Sequence, residues 1–346
     1  MKKLFSCILA FVLAAGLLSC MPESYTISDT GKTDAPVTQE PGSKDPGDPA
    51  TLPVVTDPPT QEPVTQAPPE ESTAPSKGAE TSAPYSDPDQ GVLKDLGIWP
   101  DAASLPNNSI PYGNDWEDRD QYGIANGIHW YEAKFGKYGA VYRINTTEKL
   151  LYLTMDEGYE AGHTPVILDI LKEKNVKAVF FITKQFYDSD PELIQRMIDE
   201  GHILGNHTCA HPSGGYPKYV DAHGLQSFVD DVSRLHKLIY DSFGYKMKLF
   251  RFPEGESSEQ LMAVLQNYGY TSVFWSYAHR DFVMDDQPDV SVTLERCKSH
   301  MGCGAVYLLH AVSSSNTAAL ADFIDAARAA GYEFGVFPVD EVSPAR

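Results

Sequence analysis

The chain has 346 residues, which allows more than one average domain or a single barrel of roughly 200 residues or more. Its formal charge of −21, from 48 acidic against 27 basic side chains, excludes a nucleic-acid partner, because phosphate binding needs clustered Lys and Arg. An acidic surface otherwise speaks only for solubility.

Residues 1–19 open with Met1-Lys2-Lys3, continue as an apolar run from Leu4 to Leu18, and close as Leu17-Leu18-Ser19-Cys20. That is the layout of a secretory signal. Its ending resembles a bacterial lipobox, which makes Cys20 the lipidated first residue of the mature protein and places the chain outside the cytoplasm, anchored to the bacterial cell membrane. The alternatives are an ordinary signal peptide or an N-terminal membrane helix, although the run is short for a span of ~20 residues. Residues 20–90 are dominated by Pro, Thr, Ser, Glu and Asp, as in Asp57-Pro58-Pro59-Thr60-Gln61-Glu62-Pro63. Such a stretch has too little apolar surface to offset its ordering entropy, so a disordered tether is expected. Over residues 91–147 aromatics return (Trp99, Trp116, Trp130, Tyr131). Periodicity is weak there, and an irregular lead-in packed on one side of the domain is expected, with a candidate strand at 140–144.

From residue 148 to 346 short apolar runs alternate with amphipathic ones. Strands are expected at 150–155, 178–183, 203–206, 247–252, 271–276, 305–309 and 334–337, and helices at 164–174, 191–200, 224–243, 258–268, 290–301 and 316–330. Leu168, Ile170 and Leu171 against Lys172 and Glu173 give one helical face. Gly201, Gly269 and Gly331 stand where helices stop. Nearly all-apolar strands alternating with helices predict an α/β fold, a parallel sheet covered by helices, either doubly wound or a barrel. Both architectures put their active site at the C-terminal ends of the strands.

Those ends carry chemistry. Leu151-Tyr152-Leu153 runs into Asp156, Glu157 and Gly158. His207 and His211 follow a later strand, and then come Arg251, Asp281 and His310. Two imidazoles four residues apart, with a carboxylate from Asp156 or Glu157, make a His₂-carboxylate set with room for water. This suits Zn²⁺ in hydrolysis or Fe²⁺ in oxygenases. The HxD or HxE order of oxygenases and the HExxH of zincin proteases are absent. Adjacent strand residues face opposite ways, so Asp156 and Glu157 share a site only if the chain turns between them, which Gly158 permits. Arg251 could hold Asp156 ionised, and Asp281 could favour the imidazolium of His310. A serine hydrolase built on the serines 313–315 beside His310 lacks a GxSxG elbow, and serines there also suit a helix N-cap. Cys297 and Cys303 could close a small loop in an oxidising exterior, leaving Cys209 free, but three ordinary thiols are the simpler reading.

Taken together the residues resemble the NodB-type polysaccharide deacetylases of carbohydrate esterase family 4, over roughly residues 149–338. Thr154-Met155-Asp156-Glu157 is similar to the TFDD motif, and His207-Thr208-Cys209-Ala210-His211-Pro212 matches H(S/T)xxHP. Arg251-Phe252-Pro253-Glu254-Gly255 is similar to RxPxG, Asp281-Phe282 to the later Asp-aromatic pair, and Leu308-Leu309-His310 to the closing LxH. The resemblance implies a distorted seven-stranded (β/α) barrel and a metal-dependent enzyme that removes acetyl groups from amino sugars. It implies Asp156 as general base, His310 as general acid, Arg251 orienting Asp156 and Asp281 tuning His310. Glu157, His207 and His211 would hold a divalent metal, zinc by this donor set, and Tyr159, Pro253, Gly255 and Leu308 would line the substrate. Asp156-Glu157-Gly158-Tyr159-Glu160 and Gly127-Ile128-His129-Trp130-Tyr131 further resemble the branch acting on N-acetylmuramic acid of peptidoglycan, where the first motif reads DNGYE. Glu157 departs from both patterns, being longer than Asp or Asn. The alternative is a non-catalytic glycan-binding surface lipoprotein on a degenerate barrel.

Overall fold

The computed structural model describes residues 91–113 and 117–343; the expected signal, the expected lipidation of Cys20 and the expected tether over 20–90 lie outside the described residues. Among the described residues nine strands form one all-parallel sheet: β1 Ala140–Val141, β2 Leu150–Glu157, β3 Ala178–Ile182, β4 Ile203–Asn206, β5 Leu249–Phe250, β6 Thr271–Val273, β7 Tyr277–Ala278, β8 Ala305–His310 and β9 Glu333–Phe334. Their order is β1-β6-β5-β4-β3-β2-β8-β7, and β9 lies against the first residues of β2, ahead of where β3 begins. β6 and β7 stand at opposite ends of the run of seven long-range strands β2–β8, yet residues 274–276 alone join them. The sheet must therefore roll up. Residues 140–144 bridge the seam, since Val141 O accepts from Phe274 N at 2.8 Å and Ile144 N donates to Gly304 O at 2.8 Å. The result is the distorted (β/α) barrel that the family resemblance implies, and not the doubly wound sheet that the residue pattern also allows.

Helices cover the outside: α1 Asn126–Phe135, α2 Thr164–Glu173, α3 Lys184–Ser189, α4 Pro191–Asp199, α5 Gly215–His223, α6 Leu225–Phe243, α7 Glu259–Asn267, α8 Val290–Ser299, α9 Ser314–Ala329 and α10 Val339–Val342. The six expected helices are present within two residues at each end. Gly201, Gly269 and Gly331 adopt φ of 76°, 77° and 81° just beyond α4, α7 and α9, the left-handed conformation that ends a helix. Four helices escape the sequence reading: α1, α3, α5 and α10. In α1 only Ile128 and Phe135 are buried, so its apolar stripe is too thin to register as periodicity. The expected strand 271–276 ends at Val273 as β6, and an unexpected β7 begins at Tyr277, because Ser276 spends its N–H on Val306 O rather than continuing the β5–β6 ladder.

Two apolar layers follow from the period-2 alternation of the strands. Leu151, Leu153, Met155, Phe180, Ile182, Tyr307 and Leu309 pack outward with the helices. Tyr152, Val179, Phe181, Leu249, Val273 and Val306 fill the barrel interior with Phe337. Gly205 on β4 makes room for Phe181, since a Cβ there would lie 2.3 Å from its ring. Cys209, Cys297 and Cys303 are free thiols, and burial pushes Cys209 and Cys297 up to about 12, so both are unreactive at neutral pH. Among the described residues no helix is long and apolar enough to cross a membrane.

Candidate active site

The interior row of β2 reads Tyr152, Thr154, Asp156, and that of β8 reads Val306, Leu308, His310. The register pairs Thr154 with Leu308 and Asp156 with His310. The two functional groups thus stand side by side at the top of the barrel because alternation and register put them there. They open into a cavity of ≈ 490 Å³ whose walls include Asp156, His207, His211, His310, Tyr159 and Leu308, a size suited to a small ligand group.

Asp156 is held by Arg251, 95 residues away in sequence: Nη1 donates to Oδ1 at 2.8 Å. The guanidinium is fully buried and every arm is used. Nη2 donates to Thr154 Oγ1 (2.7 Å) and Phe274 O (3.2 Å), Nε donates to Val273 O (3.1 Å), and the plane lies 4.1 Å from the Phe181 ring centre. Burial alone would raise the Asp156 carboxyl, but the charge and hydrogen bond of the Arg251 guanidinium, helped by the imidazolium of His310, outweigh it and hold it below the usual carboxylate range. It is ionised and fixed at neutral pH.

His310 pairs with Asp281. Nδ1 lies 2.7 Å from Asp281 Oδ1 and the His310 backbone N–H donates to Oδ2 at 2.9 Å. Asn316, at the start of α9, also donates to Oδ2. Burial disfavours the imidazolium, yet the Asp281 charge and hydrogen bond prevail, so His310 titrates above the ordinary imidazole value. This is the pairing that the sequence predicts, and its anchor Asn316 is a residue it misses. Ser313 and Ser315 serve structure instead, Ser315 Oγ donating to Pro288 O, and Ser314 is exposed off the cavity wall. Ser313 Oγ caps α9 by accepting from Asn316 N at 3.1 Å, and it donates to Gln287 Oε1 at 2.5 Å, which leaves no serine nucleophile against His310.

His207 and His211 lie on the loop that follows β4, with ring centres 5.0 Å apart. His207 Nδ1 is 2.9 Å from Arg251 O. A carbonyl only accepts, so Nδ1 carries the proton and Nε2 keeps its lone pair, 3.4 Å from Asp156 Oδ2. Burial drives His207 down to about 4, so it is neutral and fit to ligate at pH 7. Thr208 and His211 adopt φ of 80° and 41°, and such non-glycine residues cost about 1–3 kcal/mol each.

Glu157 does not join them. β2 runs on through Glu157 before the chain turns at Gly158, so the side chain follows the alternation outward. It is fully buried; Oε2 accepts from Thr164 Oγ1 at 3.3 Å at the start of α2, Oε1 has no partner, and the cavity does not reach it. Among the described residues no group of three His, Cys, Asp or Glu side chains gathers as a metal cage. The expected triad is therefore corrected. His207 fits a metal by tautomer and protonation, and His211 stands beside it on the cavity wall; Glu157 does not fit, and the carboxylate facing His207 is Asp156. Burial and the Glu160 charge push Glu157 well above the usual carboxylate range. The folded state then keeps a proton that the unfolded chain releases above about pH 4. Glu157→Gln should consequently be more stable than the parent at pH 7, with melting temperatures converging as the pH falls below that value. A variant less stable than the parent at pH 7 would show an ionised, paired Glu157.

The substrate-side residues also need one correction. Tyr159 and Leu308 line the cavity, whereas Pro253 and Gly255 are buried in the turn beneath it. Glu254 and Gly255 both have positive φ (58° and 71°), which turns Phe252 and Glu254 toward the cavity instead, and a Cβ on Gly255 would sit 2.9 Å from Trp275. Trp275, His279 and Phe282 complete the wall. Trp275 lies in the break between β6 and β7 and His279 just beyond β7, so strand periodicity gives neither side chain an orientation.

Comparison with known proteins points in one direction. The polysaccharide deacetylase family matches residues 143–273. The peptidoglycan-N-acetylmuramic acid deacetylase PdaA of Bacillus subtilis is 38% identical over 199 residues, covering 57% of this chain and 73% of that protein. Its solved structure, a family 4 carbohydrate esterase, superposes with a TM-score of 0.62 at 33% identity, over 69% of this chain and 98% of that one. A family 4 carbohydrate esterase from Bacillus anthracis gives 0.53 at 33% identity, over 67% and 95%.

Proposed function

The chain belongs to the polysaccharide deacetylase family, carbohydrate esterase family 4, and from that premise we propose that it removes N-acetyl groups from amino sugars of peptidoglycan, N-acetylmuramic acid first among them. The observation that carries the reading is the meeting of two oppositely tuned pairs at one cavity: Asp156 held ionised by Arg251, and His310 shifted toward its protonated form by Asp281. A linear amide needs both. Water attacks the acetyl carbonyl carbon while Asp156 takes its proton; the C–N bond then breaks while His310 gives a proton to the leaving nitrogen. Acetate and a free amine result. His207 and His211 would hold a divalent ion, zinc by the donor set, which when bound would supply Lewis-acid polarisation of the carbonyl. The likeness to the muramic acid deacetylase supports that sugar as the target.

The alternative, a glycan-binding protein without activity, rests only on the odd residue Glu157. Glu157 lies outside the cavity, and both proton-transfer pairs are assembled. Incubation with N-acetylated glycan strands, with and without a chelator, tests the proposal. Acetate should appear only without chelator, and mass spectrometry of the muropeptides should assign the lost acetyl group to muramic acid. No acetate from any N-acetylated glycan would refute it.

The pH profile follows from His310. A raised imidazole stays protonated to higher pH, so activity should fall on the alkaline side above the ordinary imidazole range. Asp281→Asn removes the charge that raises it and should move that alkaline limb to lower pH. An unmoved limb would show that His310 is not the acid. We further infer, from residues 1–90 alone, a lipid anchor at Cys20 and a tether giving reach to the wall. Cys20→Ala should move the protein from the membrane fraction to the soluble one.

A further inference from the structure

The loop 207–212 has to bring two imidazoles to one cavity, and its backbone does not favour doing so unaided. A β-branched threonine rarely takes a positive φ, yet Thr208 sits at 80° and His211 follows at 41°. Part of the restraint is local: Thr208 N donates to Asn206 Oδ1 at 2.9 Å and His211 N to Thr208 Oγ1 at 3.0 Å. The rest comes from α6. Asn206 Nδ2 donates to Val232 O at 3.0 Å. Asp231, half-buried on the same helix, accepts from two consecutive backbone N–H groups of the loop, Cys209 N on Oδ1 at 2.8 Å and Ala210 N on Oδ2 at 2.9 Å. Its neighbours Phe228, Val232 and Leu235 are buried in the core and dock the helix, so packing does not require a carboxylate here. Each oxygen is aimed at the loop.

We propose that Asp231 is a positioning residue of this site, gripping the strained loop so that His207 and His211 converge on one ion. The inference rests on the reading of those two imidazoles as the metal-holding pair. It assigns Asp231 no contact with substrate or metal. It acts through the loop, as outer partners of metal ligands commonly do, and loss of such partners weakens metal binding by about 10–100-fold.

Zinc titration of the full chain, with amide hydrogen exchange at Cys209 and Ala210 read in parallel, tests this. Asp231→Ala should weaken the zinc Kd by about 10–100-fold and speed exchange at both amides. Asp231→Asn keeps one acceptor and should fall between Asp231→Ala and the parent. Ile239→Val, a core trim farther along α6, should lower the melting temperature and leave the zinc Kd unchanged, which separates positioning from general destabilisation. A zinc Kd for Asp231→Ala within about twofold of the parent would overturn the proposal. If that variant does not fold, Asp231→Asn decides in its place by the same two readouts. A parent that binds no zinc removes the metal reading of the site itself. Exchange then decides whether Asp231 grips the loop: faster exchange in the variants supports the grip and equal exchange overturns it.

Discussion

Asp156→Asn should leave a folded protein that releases acetate about 10²–10⁴-fold more slowly, the range of a lost general base. The amide has the shape of the carboxylate, so its oxygen can still accept from Arg251 Nη1, which now stands 2.8 Å from Oδ1. What disappears is the proton acceptor. Glu157 faces α2 and cannot take its place, and Glu254, the other carboxylate on the cavity wall, is engaged by Gly214 N, which donates to its Oε2 at 3.1 Å. The variant should also lose stability, because a fully buried guanidinium remains without its counter-charge. Acetate release at saturating substrate and a thermal melt together separate the two losses. Activity above a tenth of the parent's, in a folded variant, would remove Asp156 from the base role.

Arg251→Leu should be the most destabilising single change at the site, by about 3–5 kcal/mol, because it strands a buried carboxylate. For a domain of this size that corresponds to a melting temperature lower by roughly 6–20 °C. The loss goes beyond the ion pair. Thr154 Oγ1, Val273 O and Phe274 O lose their donor, and each buried acceptor left unmade costs about 1–3 kcal/mol. The pH dependence has a definite sign. A depressed carboxyl contributes stability above its unfolded value and loses it as the pH falls through the folded one. Asp156 is depressed by Arg251, so the parent's advantage over Arg251→Leu should shrink toward acid pH. Arg251→Lys should restore little, since one ammonium cannot reach Asp156, Thr154 and both carbonyls that the planar fork joins. A leucine variant melting within a few degrees of the parent would mean that the pair contributes no net stability.

Much of the barrel was legible because parallel strands bury both faces and so read as unbroken apolar runs. The helices between them carry broad apolar stripes closed by Gly201, Gly269 and Gly331. Elements with thin signals were not legible. The buried face of α1 is two residues, and β7 is two residues long.

The sequence by itself determined which strand ends bear chemistry, because an apolar run that stops at Asp156, His207, Arg251 or His310 does so whatever the fold. It also determined the pairing of His310 with Asp281 as a class of interaction. Only the tertiary structure decided the direction each side chain takes. Asp156 and Glu157 are adjacent carboxylates with equal claim in one dimension, and a strand that runs one residue farther sends the first into the cavity and the second beneath α2. The same applies to Phe252 and Glu254 over Pro253 and Gly255, and to Asp231, whose partners lie 21 and 22 residues upstream across the α6 interface. Orientation is set by register, turn geometry and packing between distant segments, and no local pattern of residue types encodes those.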